Sequence, residues 1–113
     1  MSDYSKESFS RIHKLNFPNK LAKETMKHSL KSIVDKFFAD GLLLSLFIDI
    51  DDTTLYCVTV WESLAATERI RNQGKFGKFF EQVREMGIGL NIVEGSTDAR
   101  FFDSSVLDAF TKI

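Results

Sequence analysis

The stretch VTVWESLAAT, residues 58–67, sets the reading of the whole chain. Val58, Thr59 and Val60 are strand formers that run directly into Trp61. Two residues later Ser63 precedes Leu64, Ala65 and Ala66, where its side-chain oxygen is placed to accept an early helix N–H. A strand therefore ends on Trp61 and a helix starts after Ser63. The tryptophan supplies bulk at that corner, plugging the joint under the helix. The same flat ring is also suited to walling a pocket and stacking on a ligand.

Working upstream, LLLSLFIDI, DDTT and LYCVTVW form two β-rich runs around a short polar connection, a hairpin. With Asp52 and Thr53 as its turn and unbroken pairing outward, Leu44, Leu46, Ile48, Ile50, Leu55, Cys57 and Trp61 share one face. Ser45, Phe47, Asp49, Tyr56, Val58 and Val60 share the other. Both faces are substantially apolar, as expected of a sheet covered on both sides. Earlier still, residues 7–16 alternate as a strand, with Phe9, Arg11, His13, Leu15 and then Phe17 on one parity and Ile12 on the other. Pro18 suits the first turn of a helix. Met26, Leu30, Ile33, Val34 and Phe37 then recur on one helical face, with Lys20, Lys23, Lys27 and Lys31 opposite. Gly41 stands where a left-handed cap ends that helix.

Downstream of Ser63, Ala66, Ile70, Phe79 or Phe80, and Val83 keep helical spacing. Gly74 and Gly77 interrupt it at roughly 1 kcal/mol each relative to alanine, which predicts a bend, a break or a close approach. IGLNIVEGSTDARFF reads as a last strand with a bulge near Gly95. The final ten residues form a short helix or an arm onto a neighbour. The order β-α-β-β-α-β is an α+β, ferredoxin-like unit with an antiparallel sheet. Helices cover one sheet face, and a second copy of the chain is the simplest cover for the other. The expectation is a single domain over residues 1–113, with its core over 7–103 and a terminal helix or arm over 104–113.

Composition excludes several functions. The chain has 113 residues and a formal charge of -1, so it has no general attraction for nucleic acid or an anionic membrane. One cysteine, Cys57, precludes an intrachain disulfide and a cysteine metal cluster, and fits a reducing cytoplasm. The polar start MSDYSKESFS has no apolar signal region, and the longest apolar run, GLLLSLFI, is strand-sized. These features lead us to expect a cytoplasmic protein. The 11 phenylalanines exceed what one small core needs and point to self-association.

With its element order and the junction VWESLAA, the chain resembles the antibiotic biosynthesis monooxygenase family, over roughly residues 7–103. The resemblance implies a dimeric α/β barrel with a cavity between sheet and helices. It also implies oxygenation of an aromatic compound without bound cofactor, metal or flavin. Haem-degrading relatives carry a second tryptophan and a histidine in the second helix, and this chain has Ile70 and Phe80 at the matching places.

His13 is the leading candidate base, because a histidine alternating with Phe and Leu in a strand can project into a cavity. The bland alternative is a half-exposed histidine beside Arg11 at an edge or seam. Asp49 lies inside an apolar strand, where desolvation would raise its pKa. Tyr56 is placed to donate a hydrogen bond to a substrate oxygen. Phe47 and Trp61 are candidate pocket walls. Asp51 and Asp52 are turn residues, and the calcium-loop pattern is absent. His28 belongs to a solvated face, Cys57 to an inert interior. GIGLNIVEG lacks the dinucleotide spacing, and the phenylalanines of KFGKFF face a core rather than nucleic-acid bases.

The expected ligand is a small apolar or aromatic compound. Its oxygenation would start by proton abstraction at His13 or Asp49, with Tyr56 as donor. A non-catalytic binding or interaction module and an isomerase or lyase are the alternatives on the same fold.

Overall fold

The computed structural model describes residues 8–98 and 101–110. The chain runs β1 (Phe9–Asn16), α1 (Lys20–Phe37), a 3-10 turn (Phe38–Asp40), β2 (Leu42–Asp51), β3 (Thr54–Trp61), α2 (Leu64–Asn72), α3 (Lys75–Glu85), β4 (Gly89–Ser96) and α4 (Val106–Phe110). The four strands form one antiparallel sheet in the order β2-β3-β1-β4. This is the ferredoxin-like α+β arrangement, with β1 and β3 in the centre. No helix among the described residues is long and apolar enough to cross a membrane.

Local chemistry sets the boundaries. The Asn19 side chain accepts from the Ala22 N–H at 2.8 Å and caps α1. Helix α1 thus begins one residue after the cap, and Pro18 precedes it instead of opening it. Ser63 caps α2 in the same way, accepting from the Ala66 N–H at 3.1 Å. Gly41, at φ 103°, closes the 3-10 turn that follows α1. The second helix breaks after Asn72, where Gly74 takes φ 72°, and resumes as α3. Glu7, the expected start of the first strand, lies outside the described residues. So do residues 99–100 of the last expected strand and 111–113 of the terminal segment.

Two expectations about strands need correction. Strand β4 pairs with β1 without any register shift from Gly89 to Ser96, so Gly95 carries no bulge. The irregularities lie in β2 instead, between Leu42 and Leu44 and between Asp49 and Asp51. The hairpin does turn on Asp52 and Thr53, with Asp51 opposite Thr54. One extra residue, Ile50, then shifts the pairing, so that Asp49 faces Leu55 and Phe47 faces Cys57. Because side chains alternate strictly, that step exchanges the faces of the middle of β2. Ser45, Phe47 and Asp49 therefore join Leu55, Cys57, Thr59 and Trp61 beneath the helices. Leu44, Leu46 and Ile48 join Tyr56, Val58 and Val60 on the outer face.

The buried residues form two adjoining clusters on the helix side. One gathers Leu15, Phe17, Met26, Leu30, Leu55, Cys57, Val83 and Ile88. The other gathers Phe37, Leu42, Trp61, Ala66 and Ile70 at the strand–helix corner. Trp61 is 2% exposed, with its ring centroid 5.9 Å from that of Phe37. The outer sheet face remains apolar and open, with Ile12, Leu44, Ile48 and Val93 all exposed.

Candidate functional site

A cavity lies along the seam between the two clusters. Its floor is the sheet: Arg11, His13 and Leu15 of β1, Cys57, Thr59 and Trp61 of β3, Phe47 of β2 and Leu90 of β4. Leu30, Ile33, Val34 and Phe37 of α1 form its roof, and Phe79 of α3 closes one side. These residues arise from two periodicities meeting, odd positions of β1, β2 and β3 and an even one of β4 against three- and four-residue steps of α1. The cavity volume is about 60 Å³. An engineered protein cavity that holds benzene measures about 150 Å³, so an aromatic ligand requires the aromatic side chains here to swing aside.

The floor has one polar row. Ser45 is paired with Thr59, Thr59 with Arg11, and Arg11 with Glu94, a row of four polar residues crossing the whole sheet. Trp61 Nε1–H donates to Thr59 Oγ1 at 3.0 Å. Arg11 is 8% exposed, and its Nε lies 2.9 Å from Glu94 Oε2. The contact is one of charge. The Nε–H is not aligned on the carboxylate and makes no hydrogen bond among the described residues. Ser45 Oγ is buried without a partner as well, although Ser45 does not line the cavity.

His13 stands in the next row, opposite Cys57. Burial, and secondarily the Arg11 charge, lowers its pKa to about 4, against a smaller opposing effect of Glu94. The imidazole is therefore neutral at pH 7 and offers one N–H and one lone pair to a ligand. Burial pushes the Cys57 thiol up to about 12, so it is a neutral wall group.

Three of the five residues singled out in the sequence, His13, Phe47 and Trp61, line this cavity. Asp49 and Tyr56 do not. Asp49 accepts from Lys23 Nζ at 2.5 Å and from Lys27 Nζ at 2.7 Å. These hydrogen bonds hold its carboxyl down at about 2, the reverse of the raised value that an apolar strand implied. Lys23 also donates to the Asp51 carbonyl and is 4% exposed. The lysine side of α1 is thus partly turned inward and ties the helix to the end of β2. Tyr56 projects from the outer face, with Lys14 Nζ 5.9 Å from its ring centroid. Arg11 and Thr59 were not recognised as site residues. The available signal was Arg11 sharing a strand parity with His13 between Phe9 and Leu15. Among the described residues no group of three or more His, Cys, Asp and Glu is arranged to hold a metal ion.

No protein-family model matches the chain, and no curated protein matches it. Solved structures do. A dimeric ferredoxin-like protein from an uncultured marine organism superimposes with a TM-score of 0.70 at 14% identity, over 90% of this chain and 97% of its own. The monooxygenase of the gene ActVA-Orf6 of Streptomyces coelicolor, solved with the ligand nanaomycin D, gives 0.70 at 12% identity, over 91% and 100%. SnoaB, a cofactor-independent oxygenase from Streptomyces nogalater, gives 0.65 at 16% identity, over 85% and 96%. The chain shares the fold of these three proteins. The likeness extends over nearly the whole of each partner, so the expected ferredoxin-like architecture is the observed one. At these identities it is a likeness of fold, and the chemistry must be argued from the cavity itself.

Proposed function

We propose that this protein binds a small, largely apolar aromatic compound in the cavity between sheet and helices and oxygenates it without a bound cofactor. The observation that carries the reading is a largely apolar cavity with Arg11, His13 and Thr59 on two adjacent rows of its floor. This is the usual build of a small-molecule site, apolar walls with a few convergent polar groups. Its occurrence in the fold of a cofactor-independent oxygenase supports oxygen chemistry.

In such a reaction the substrate supplies the electrons. An activated C–H gives up its proton, the carbanion reduces oxygen and forms a C–O bond, and the resulting hydroperoxide loses water to leave a carbonyl. His13 accepts the first proton through its neutral imidazole. With a pKa near 4 it is a weak base, so the substrate must already be acidic, such as a phenol reacting through its keto tautomer. The polar row of the floor holds the substrate oxygen, and the aromatic side chains exclude water.

The same low pKa favours a second reading, a non-catalytic carrier of such compounds, because no other titratable side chain able to act as a base at neutral pH lines the described cavity. Oxygen uptake with a panel of mono- and bicyclic phenols separates the two. Oxygenation predicts oxygen consumption matched by an oxygenated product, both lost in His13→Gln. Binding without uptake leaves the carrier. Neither binding nor uptake refutes both.

We further propose a homodimer in which two sheets close a barrel on their outer faces. Ile12, Leu44, Ile48 and Val93 are the exposed apolar residues such packing would bury. Native mass spectrometry reading twice the chain mass is the expected result, and a monomer at micromolar concentration refutes it.

A further inference from the structure

The row Ser45–Thr59–Arg11–Glu94 has a property that the ligand-binding reading does not explain. Its arginine is nine-tenths buried, lines the cavity and carries an N–H with no hydrogen-bond acceptor among the described residues. A buried donor left unpaired is costly, and native proteins pair such groups with protein, water or ligand. Beside it, Thr59 Oγ1 already accepts from Trp61 and has its own hydroxyl proton to donate. Two donors therefore stand on one row of a cavity whose other lining, His13 apart, is apolar. What they lack is an oxygen with free lone pairs.

The charge of that oxygen follows from Glu94. Its carboxylate sits 2.9 Å from Arg11 Nε and already balances the guanidinium. A carboxylate ligand would bring a second anion beside it, in a cavity whose only other described ionisable base, His13, resists protonation. An uncharged acceptor meets no such opposition.

We propose that Arg11 Nε–H and the Thr59 hydroxyl form a seat for an uncharged carbonyl oxygen of the ligand, and that Glu94 excludes carboxylates from it. Arg11 and Thr59 are then binding residues, and Glu94 sets specificity through Arg11. The proposal rests on the ligand-binding reading above and adds the functional group the ligand must carry.

The test uses three single-ring probes of nearly equal shape, ethylbenzene, acetophenone and benzoate, titrated into the full chain. The readout is the indole N–H signal of Trp61, the sole tryptophan, whose proton lies on Thr59. The wild type is expected to bind acetophenone and ethylbenzene and to reject benzoate. Arg11→Met is expected to weaken acetophenone by about tenfold and leave ethylbenzene unchanged. Glu94→Gln is expected to strengthen benzoate by about tenfold and leave acetophenone unchanged. Arg11→Met leaves behind only Glu94, which is 40% exposed, whereas Glu94→Gln leaves the buried Arg11 charge without its counter-ion. Should either variant fold poorly, the other decides alone. Unchanged probe ratios with ethylbenzene still bound overturn the carbonyl seat and leave the cavity as a ligand site. Failure of all three probes to shift the Trp61 signal overturns the ligand-binding reading and the seat together.

Discussion

Acidification to about pH 5 should cost this protein about 2 kcal/mol through His13 alone. The imidazole titrates at about 4 in the fold and at its ordinary 6.5 in the unfolded chain. Between those values the unfolded chain binds the extra proton, so stability rises with pH and is lost as pH falls through this window. Above about pH 7 both states are neutral and the effect vanishes. Integrating the proton difference gives about 0.8 kcal/mol lost at pH 6, about 2 at pH 5 and about 3 once both states are protonated.

Asp49 works in a separate window. Its folded value of about 2 lies below its ordinary 3.8, so its contribution is complete above 3.8 and is lost as pH falls towards 2. Urea unfolding followed by Trp61 fluorescence, in wild type and His13→Gln at several pH values from about 7.5 to 5, isolates the histidine. The wild type should fall relative to the variant along the curve above. Parallel curves within about 0.3 kcal/mol would show that His13 is hydrated in the folded state, and the argument for a desolvated cavity base would fall with it.

Gly41→Ala should destabilise by about 2 kcal/mol, since φ is 103° there and a Cβ would lie 2.9 Å from Ala66 Cβ and 3.0 Å from Glu62 Oε1. Gly95→Ala, where a Cβ meets nothing within 4 Å, should stay within about 0.5 kcal/mol in the same denaturation assay. Ser63→Ala removes the α2 cap and should cost about 1 kcal/mol, measured by thermal unfolding. Ile48→Lys places a charge on the outer sheet face and should shift the sedimentation of the proposed dimer to that of a monomer while the far-ultraviolet spectrum holds.

The element order was legible because each element carries a strong local signal. Asn19 and Ser63 cap, Gly41 and Gly74 break, and the strands alternate. Strand parity in β1 was legible for the same reason, and it placed His13 and Arg11 together. What escaped was non-local. Nothing around Ile50 announces a bulge, because the extra residue is defined by how β2 pairs with β3 and not by its own chemistry. With that register lost, Phe47 and Asp49 were assigned to the face of Tyr56. Asp49 looked like a desolvated acid because its partners, Lys23 and Lys27, lie on a helix far away in sequence and read as solvent-facing. Arg11 was passed over because an arginine in a strand reads as an edge charge until Glu94 of β4 is seen beside it.

Ile50 has a wider consequence. Strand β2 absorbs two extra residues along β3, one at each irregularity, so its central stretch is out of phase with both its ends. A deletion of Ile50 would remove the bulge and keep Asp49 opposite Leu55, whereas flattening the bulge with Ile50 retained would pair Ile50 with Leu55 and swap the faces of that stretch. Leu44, Leu46 and Ile48 would enter the cavity, while Ser45, Phe47 and Asp49 would move to the outer surface. The cavity lining and the outer apolar face are thus coupled to a single bulge. A sequence change that flattens it would exchange ligand contacts and dimer surface in one event, without altering any of the six side chains involved.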